Sequence, residues 1–332
     1  MPLGHTLAVG KRIEELDWRV TPMGEISLRR RVEPSLGVDV YEVKLGQEFL
    51  MSSLFTVAES ELARLGLAAL LGADLDVVVG GLGLGYTARA ALADPRVRSV
   101  HVVEALEAVV SWHQDDLLPL AQELMADPRC AILTADFFAM VASAEGFGPT
   151  VPQPLHAVLL DVDHTPRHVL HPSHAGFYEP AGLQRVAERL HPAGVFALWS
   201  DDPPDDHFLR VLADVFATVD AHVVRFTNPL TGGESSNTVY VATTSPTPRG
   251  VPGGHVGTTP RTTETGIDMT HGPNDQDSSA TDSANAADEG DSSGKTFGTP
   301  DVKGSPPSLD DEENVVVSGG GVARPSEDSG AS

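Results

Sequence analysis

The sequence predicts an α/β protein built on a doubly wound parallel sheet, with a small N-terminal β extension and a disordered C-terminal tail. Three observations lead there. Between residues 71 and 244 short apolar runs alternate with helical patterns, the runs being "DVVVG", "VRSVHVVEA", "CAILTAD", "LHAVLLDVD" and "GVFALWSDD". Strands that are apolar without an alternating polar face belong to a parallel sheet covered on both sides. The first of them runs into a glycine-spaced turn that opens a helix, "VVVGGLGLGYTARAAL" over 77–92, as the nucleotide-binding half of such a sheet begins. From about Thr244 the composition turns to Ser, Thr, Gly, Pro and Asp, with no Trp or Tyr and the single Phe297. Such a segment cannot bury enough apolar surface to offset the entropy of ordering.

These shifts divide the chain into an N-terminal extension over 1–70, a central domain over 71–244 and a tail over 245–332. In the extension, "WRVTPMGEISLRRR" and "GVDVYEVKLGQEFL" read as the two arms of a hairpin around "VEPSLG". The helical spacing of "TVAESELARLGLAALLG" gives a connecting helix that stops at Gly72. Within the central domain the helices are "YTARAALAD", "LEAVVSWHQDDLLPLAQELM", "DFFAMVAS" and "FYEPAGLQRVAERL", and "AHVVRFTN" with "SNTVYVATT" forms a closing hairpin.

Charge and cysteine content narrow the function. The tail holds 5 Lys+Arg against 15 Asp+Glu, so it carries −10 of the formal charge of −25 and the rest of the chain −15. An acidic surface throughout argues against nucleic acid, whose affinity comes from phosphate neutralisation; it would welcome a small cationic substrate, although a solvated surface that merely keeps the protein soluble is the commoner cause of such charge. Cys130 is the only cysteine, which excludes an internal disulfide framework and a cysteine-based zinc site. No run approaches ~18 apolar residues, and the first residues lack the pattern of a secretory signal. A cytoplasmic protein with no membrane partner is the expectation.

In a doubly wound sheet the ligand sits at the carboxyl ends of the strands, where the strand order reverses. Gly81, Gly83 and Gly85 occupy the turn after the first strand, and Glu104 ends the second, about 20 residues on, where an acid can take ribose hydroxyls. A nicotinamide dinucleotide would need a small residue at the third fingerprint position. Counted from Gly81, that position is Tyr86. The G-x-G-x-G spacing is similar to that of class I S-adenosylmethionine-dependent transferases, whose nucleoside ligand has no pyrophosphate. Asp136 stands where that family meets the adenine amino group, and it is equally placed to cap the helix "DFFAMVAS".

The ordered set "VVVGGLGLGYTARAAL", "VHVVEALEAV", "LTADFFAMV", "HAVLLDVDHTP" and "FYEPAGLQRVAERLHPAGVFALWS" resembles the spermidine synthase family of aminopropyltransferases, over about residues 13 to 244. The resemblance implies a Rossmann-like catalytic domain of the class I methyltransferase type. It implies decarboxylated S-adenosylmethionine as donor, a diamine or other amine as acceptor, and a homodimer. The chain departs from the family at four motifs, the first being the glycine-containing "TPMGEIS" in place of a Gln in the N-terminal hairpin. "GGLGLG" replaces GGGDGG and its acid, "FLMSSLFTVAE" replaces a Tyr-His-Glu stretch, and "DVDHTP" replaces D-[ST]-x-D-P. Without the acid, backbone N–H groups at the helix start could meet a donor carboxylate. Methyl transfer from intact S-adenosylmethionine is therefore the alternative, and a nucleoside-binding relative without catalysis is the third reading.

Aminopropyl transfer needs an acceptor nitrogen stripped of its proton, whose pKa is ~10 if it resembles lysine. Asp161, at the end of the fourth strand, is the candidate to hold the cation and take that proton, with Asp163 beside it. Tyr86, His164 and Asp201 are candidate pocket residues, and the acids of "WSDDPPDD" read as a solvated turn with one Asp capping the next helix. His164, His168, His171 and His174 share one loop, but their spacing matches no closed zinc set and Pro166 and Pro172 break any helix that would align them. No metal is expected. Trp112 and Trp199 read as core.

Overall fold

The computed structural model of the chain describes residues 13–246 and 261–264; the first twelve residues and nearly all of the expected disordered tail lie outside the described residues. The chain opens with an antiparallel meander of β1 (Ile13–Thr21), β2 (Gly24–Glu33), β3 (Val38–Leu45) and β4 (Glu48–Ser52), paired in that order. Sequence alone gives one hairpin here, because each arm reads as a continuous extended segment. Both arms fold on themselves instead. Pro22 and Met23 form a two-residue turn closed by the Thr21 and Gly24 pair, and Gly46, at φ +60°, turns β3 into β4. Ile26, Leu28 and Val43 are buried against the central domain, while Trp18 and Val20 of β1 face outward.

Helix α1 (Val57–Ala68) leads into the main sheet: β5 (Leu75–Gly80), α2 (Tyr86–Leu92), β6 (Val97–Glu104), α3 (Glu107–Gln114), α4 (Ala121–Ala126), β7 (Cys130–Thr134), α5 (Phe137–Ala142) and β8 (Leu155–Leu160). A 3-10 turn over Pro172–Tyr178 precedes α6 (Pro180–Arg189), β9 (Leu190–Ser200), α7 (Asp206–Ala213), β10 (Thr218–Asn228) and β11 (Gly233–Thr243). The sequence stretch from Leu106 to Met125 is two helices rather than the single one expected, because Asp116 adopts a left-handed φ of +57° and Pro119 follows. Pro180 begins α6 at its first position, where the missing N–H costs nothing.

The sheet order is β10-β11-β9-β8-β5-β6-β7, with β11 antiparallel to both neighbours and β5 to β9 mutually parallel. Within the stretch read as tail, β12 (Arg261–Glu264) runs parallel to β10 at the open edge, where unpaired backbone groups are available. This is the Rossmann-like doubly wound α/β sheet of the class I methyltransferase type. Because side chains alternate across the sheet, Val77 and Val79 join one core with α1, α2, α3 and the N-terminal meander, while Val78, Val158 and Leu160 join a second with α5, α6 and α7. The chain leaves β5 toward β6 on one side and returns to β8 on the other, so the crevice opens beyond Gly80 and Leu160.

Candidate functional site

The glycine turn lies in that crevice. Gly81 and Gly83 have φ of +94° and +49°, a region that a side chain strains. A Cβ on Gly81 would strike the main-chain carbonyl of Asp161, and one on Gly83 would lie 3.0 Å from the sulfur of Met51 on β4. The N–H of Gly81 donates to Val103 O at 2.9 Å and that of Asp161 to Gly80 O at 2.8 Å, so the turn is stitched to both neighbouring strands. Gly85, at φ +93°, precedes the first residue of α2.

Glu104 ends β6 and is 8% exposed. Its Oε2 accepts from Leu82 N at 2.9 Å and its Oε1 from Leu106 N at 2.8 Å, which fixes both the glycine turn and the start of α3. Burial pushes its carboxyl above the ordinary range, and the backbone N–H bonds from Leu106, Leu82, Gly83 and Ala105 work against that rise. On the far side of the turn, His113 donates from Nε2 to Gly83 O at 3.0 Å, and burial depresses its basicity. The adjacent Trp112 is fully buried and its indole N–H reaches Asp17 on β1 at 2.6 Å.

Two neighbouring cavities use these elements. The larger, about 330 Å³, is lined by Gly81, Gly83, Glu104, Asp136, Phe138 and Asp161 among others. The smaller, about 50 Å³, is lined by Met51, Glu59, Tyr86, Asp161 and His164. Asp161 and Gly83 face both. The Asp161 carboxylate accepts from the hydroxyl of Thr87 at 3.0 Å. His164 donates from Nε2 to Glu48 Oε1 at 3.0 Å, which ties the loop after β8 to the N-terminal meander. Tyr86 lies over the small cavity with the Arg89 guanidinium 5.8 Å from its ring, and burial raises its hydroxyl pKa.

The other sequence-selected residues sit differently. Asp136 caps α5, its Oδ1 accepting from Phe138 N at 2.8 Å and Ala139 N at 3.1 Å, and it lines the larger cavity at the same time. Asp163 is 1% exposed and turned away from the cavities, accepting from Leu170 N, His174 Nδ1 and the Tyr178 hydroxyl. Asp201 accepts from Asn237 Nδ2 on β11 at 2.8 Å and lines neither cavity. Asp205 caps α7 and pairs with Arg167 at 2.6 Å, which closes the acidic turn onto the loop after β8. Trp199 packs in the core. Among the described residues there is no His, Cys, Asp and Glu cluster that could hold a metal ion.

Sequence reasoning overlooked Thr87, Glu59, Met51 and Phe138. Thr87 is one residue beyond a position already singled out, so its spacing could have found it. Glu59 and Met51 come from other elements and carry no local signal.

No family model matches the chain, and no curated protein matches it. Solved structures do. The spermidine synthase of Thermotoga maritima matches at 17% identity and a TM-score of 0.53, over 69% of this chain and 72% of that one. A spermidine synthase in complex with the transition-state analogue AdoDATO matches at 17% identity and a TM-score of 0.54, over 69% and 73%. At this identity the likeness speaks for the fold, and the chain has the spermidine synthase-like, class I methyltransferase fold.

Proposed function

We propose that the chain is a transferase that carries an aminopropyl group from decarboxylated S-adenosylmethionine to an amine. The observation that carries the reading is the carboxylate of Asp161, which stands on the wall common to both cavities at the strand-order reversal. The larger cavity is the donor site. Glu104 would take the ribose hydroxyls, and Asp136 with Phe138 the base. The smaller cavity is the acceptor site, where Glu59 and Asp161 offer negative charge to an ammonium group beside Tyr86 and His164.

In this scheme Asp161 holds the ammonium and accepts its proton as the nitrogen attacks the carbon next to the sulfonium. The carbon–sulfur bond breaks, its electron pair returns to sulfur, and a neutral thioether nucleoside leaves. Thr87 orients the Asp161 carboxylate through its hydroxyl, and Asp163 holds the loop that carries His164 and Leu170. Alignment of nitrogen and carbon across the shared wall supplies much of the remaining acceleration. A cytoplasmic homodimer acting on a small-molecule amine belongs to the same proposal.

A specific feature favours the second reading, methyl transfer from intact S-adenosylmethionine. The turn presents Gly83 with the Met51 sulfur against it, and no acid stands there to attract the amine end of a decarboxylated donor. The test is incubation with decarboxylated S-adenosylmethionine and a panel of amines, followed by mass spectrometry for the aminopropylated amine and methylthioadenosine. Asp161→Asn is expected to lower turnover about 100-fold or more while donor affinity is retained. Unchanged turnover would remove Asp161 from the mechanism, and methylated product from intact S-adenosylmethionine would establish the second reading.

A further inference from the structure

Behind the larger cavity, supporting the His174 that lines it, is a hydrogen-bonded cluster that takes no part in the bond-making of the transfer step. Its centre is Asp163, 1% exposed, whose oxygens meet three donors: Leu170 N at 2.7 Å, His174 Nδ1 at 2.9 Å and the Tyr178 hydroxyl at 2.8 Å. A carboxylate surrounded by donors acts as an acceptor only. The imidazole of His174 therefore carries its hydrogen on Nδ1, and in the neutral ring Nε2 is left as a bare acceptor. The ring is stacked on Phe138, with centroids 3.9 Å apart and planes 22° apart, so its direction is fixed on its face as well as at its edge. His174, Phe138 and Asp136 all line the larger cavity, and Asp136 holds the main-chain N–H of Phe138 at 2.8 Å.

We propose that His174 is a specificity residue for the base of the nucleoside, its Nε2 accepting a hydrogen from an exocyclic amino group. The site then takes 6-aminopurine nucleosides and rejects 6-oxopurines, whose carbonyl oxygen would face a second acceptor. Asp163 is the positioning residue that sets the tautomer. The proposal rests on the nucleoside reading of the larger cavity, and it assigns His174 and the buried Asp163 a role apart from the transfer step.

The full chain is titrated calorimetrically with 5′-methylthioadenosine and 5′-methylthioinosine. The adenosine thioether should bind more tightly by about tenfold or more. His174→Phe, which keeps a ring against Phe138, should lower the ratio severalfold, leaving only the preference that Asp136 supplies. Equal binding by the wild type, or a ratio that His174→Phe leaves unchanged, would overturn the role of His174 and spare the nucleoside reading. Absence of binding by both would overturn that reading and the proposal with it. Histidine nitrogen NMR of the wild type supplies a check that needs no variant. It should find His174 protonated at Nδ1, with the Nε2 resonance displaced by methylthioadenosine and not by methylthioinosine. The opposite tautomer, or an unmoved resonance, would overturn the proposal.

Discussion

A methyl group added at Gly81 would meet the carbonyl of Asp161 on a backbone already at φ +94°, so clash and strain act together. Gly81→Ala is expected to destabilise the fold by about 2 kcal/mol or more and to weaken donor binding, as measured by urea denaturation and calorimetry. Stability and affinity both unchanged would show that the turn tolerates a side chain. The need for glycine there was legible in the sequence, since a strand, three spaced glycines and a helix are adjacent in the chain. The same holds for Glu104, one strand further on. The neighbours that finish the site were not legible. Glu59 and Met51 reach it from α1 and β4, and what brings them there is the docking of one layer on another. In the histidine-rich loop only His164 was singled out, as a pocket residue, whereas His174 was read for metal spacing alone and owes its orientation to Asp163, eleven residues earlier.

Among the elements, α3 acts as a strut. Its consecutive residues Trp112 and His113 reach in two directions, the first to Asp17 on β1 and the second to the carbonyl of Gly83. Trp112→Phe keeps most of the buried ring and removes the indole donor. It should cost about 1–2 kcal/mol in denaturation experiments, because a part-buried bond to a carboxylate is lost. A variant as stable as the wild type would mean that Arg19, which donates to the Ser111 hydroxyl of α3 at 3.1 Å, suffices to hold β1. Sequence periodicity identified the central strands and most helices because each stands out as an apolar run or an amphipathic pattern. It merged α3 with α4, and joined the strands of the meander, because the breaks depend on single residues. Asp116 in a left-handed conformation and the Pro22 and Met23 turn interrupt patterns whose apolar spacing continues past them.

Across the whole molecule, burial depresses the basicity of His101, His113, His156 and His222. A histidine whose folded pKa is lowered binds its proton more readily in the unfolded chain, so its contribution to stability is lost as pH falls below about 6.5. Asp76 behaves in the other range. Burial works to raise its carboxyl, but the bonds from Arg98 and Ser99 outweigh it and hold it below the ordinary value. Its contribution is present above about pH 4 and disappears as pH falls further. Urea midpoints should therefore fall in two steps on acidification, the first beginning as pH drops below about 6.5, and a profile that stays flat through that step would contradict the lowered basicity of these histidines.

The same scale holds the central claim, that two cavities with Asp161 on their common wall serve a decarboxylated nucleoside donor and an amine. Calorimetric titration with S-adenosylmethionine, decarboxylated S-adenosylmethionine and methylthioadenosine, side by side, tests it most directly. Tighter binding of the decarboxylated donor than of the intact one is the result expected for aminopropyl transfer. Preference for intact S-adenosylmethionine, or no binding by any of the three, would contradict it.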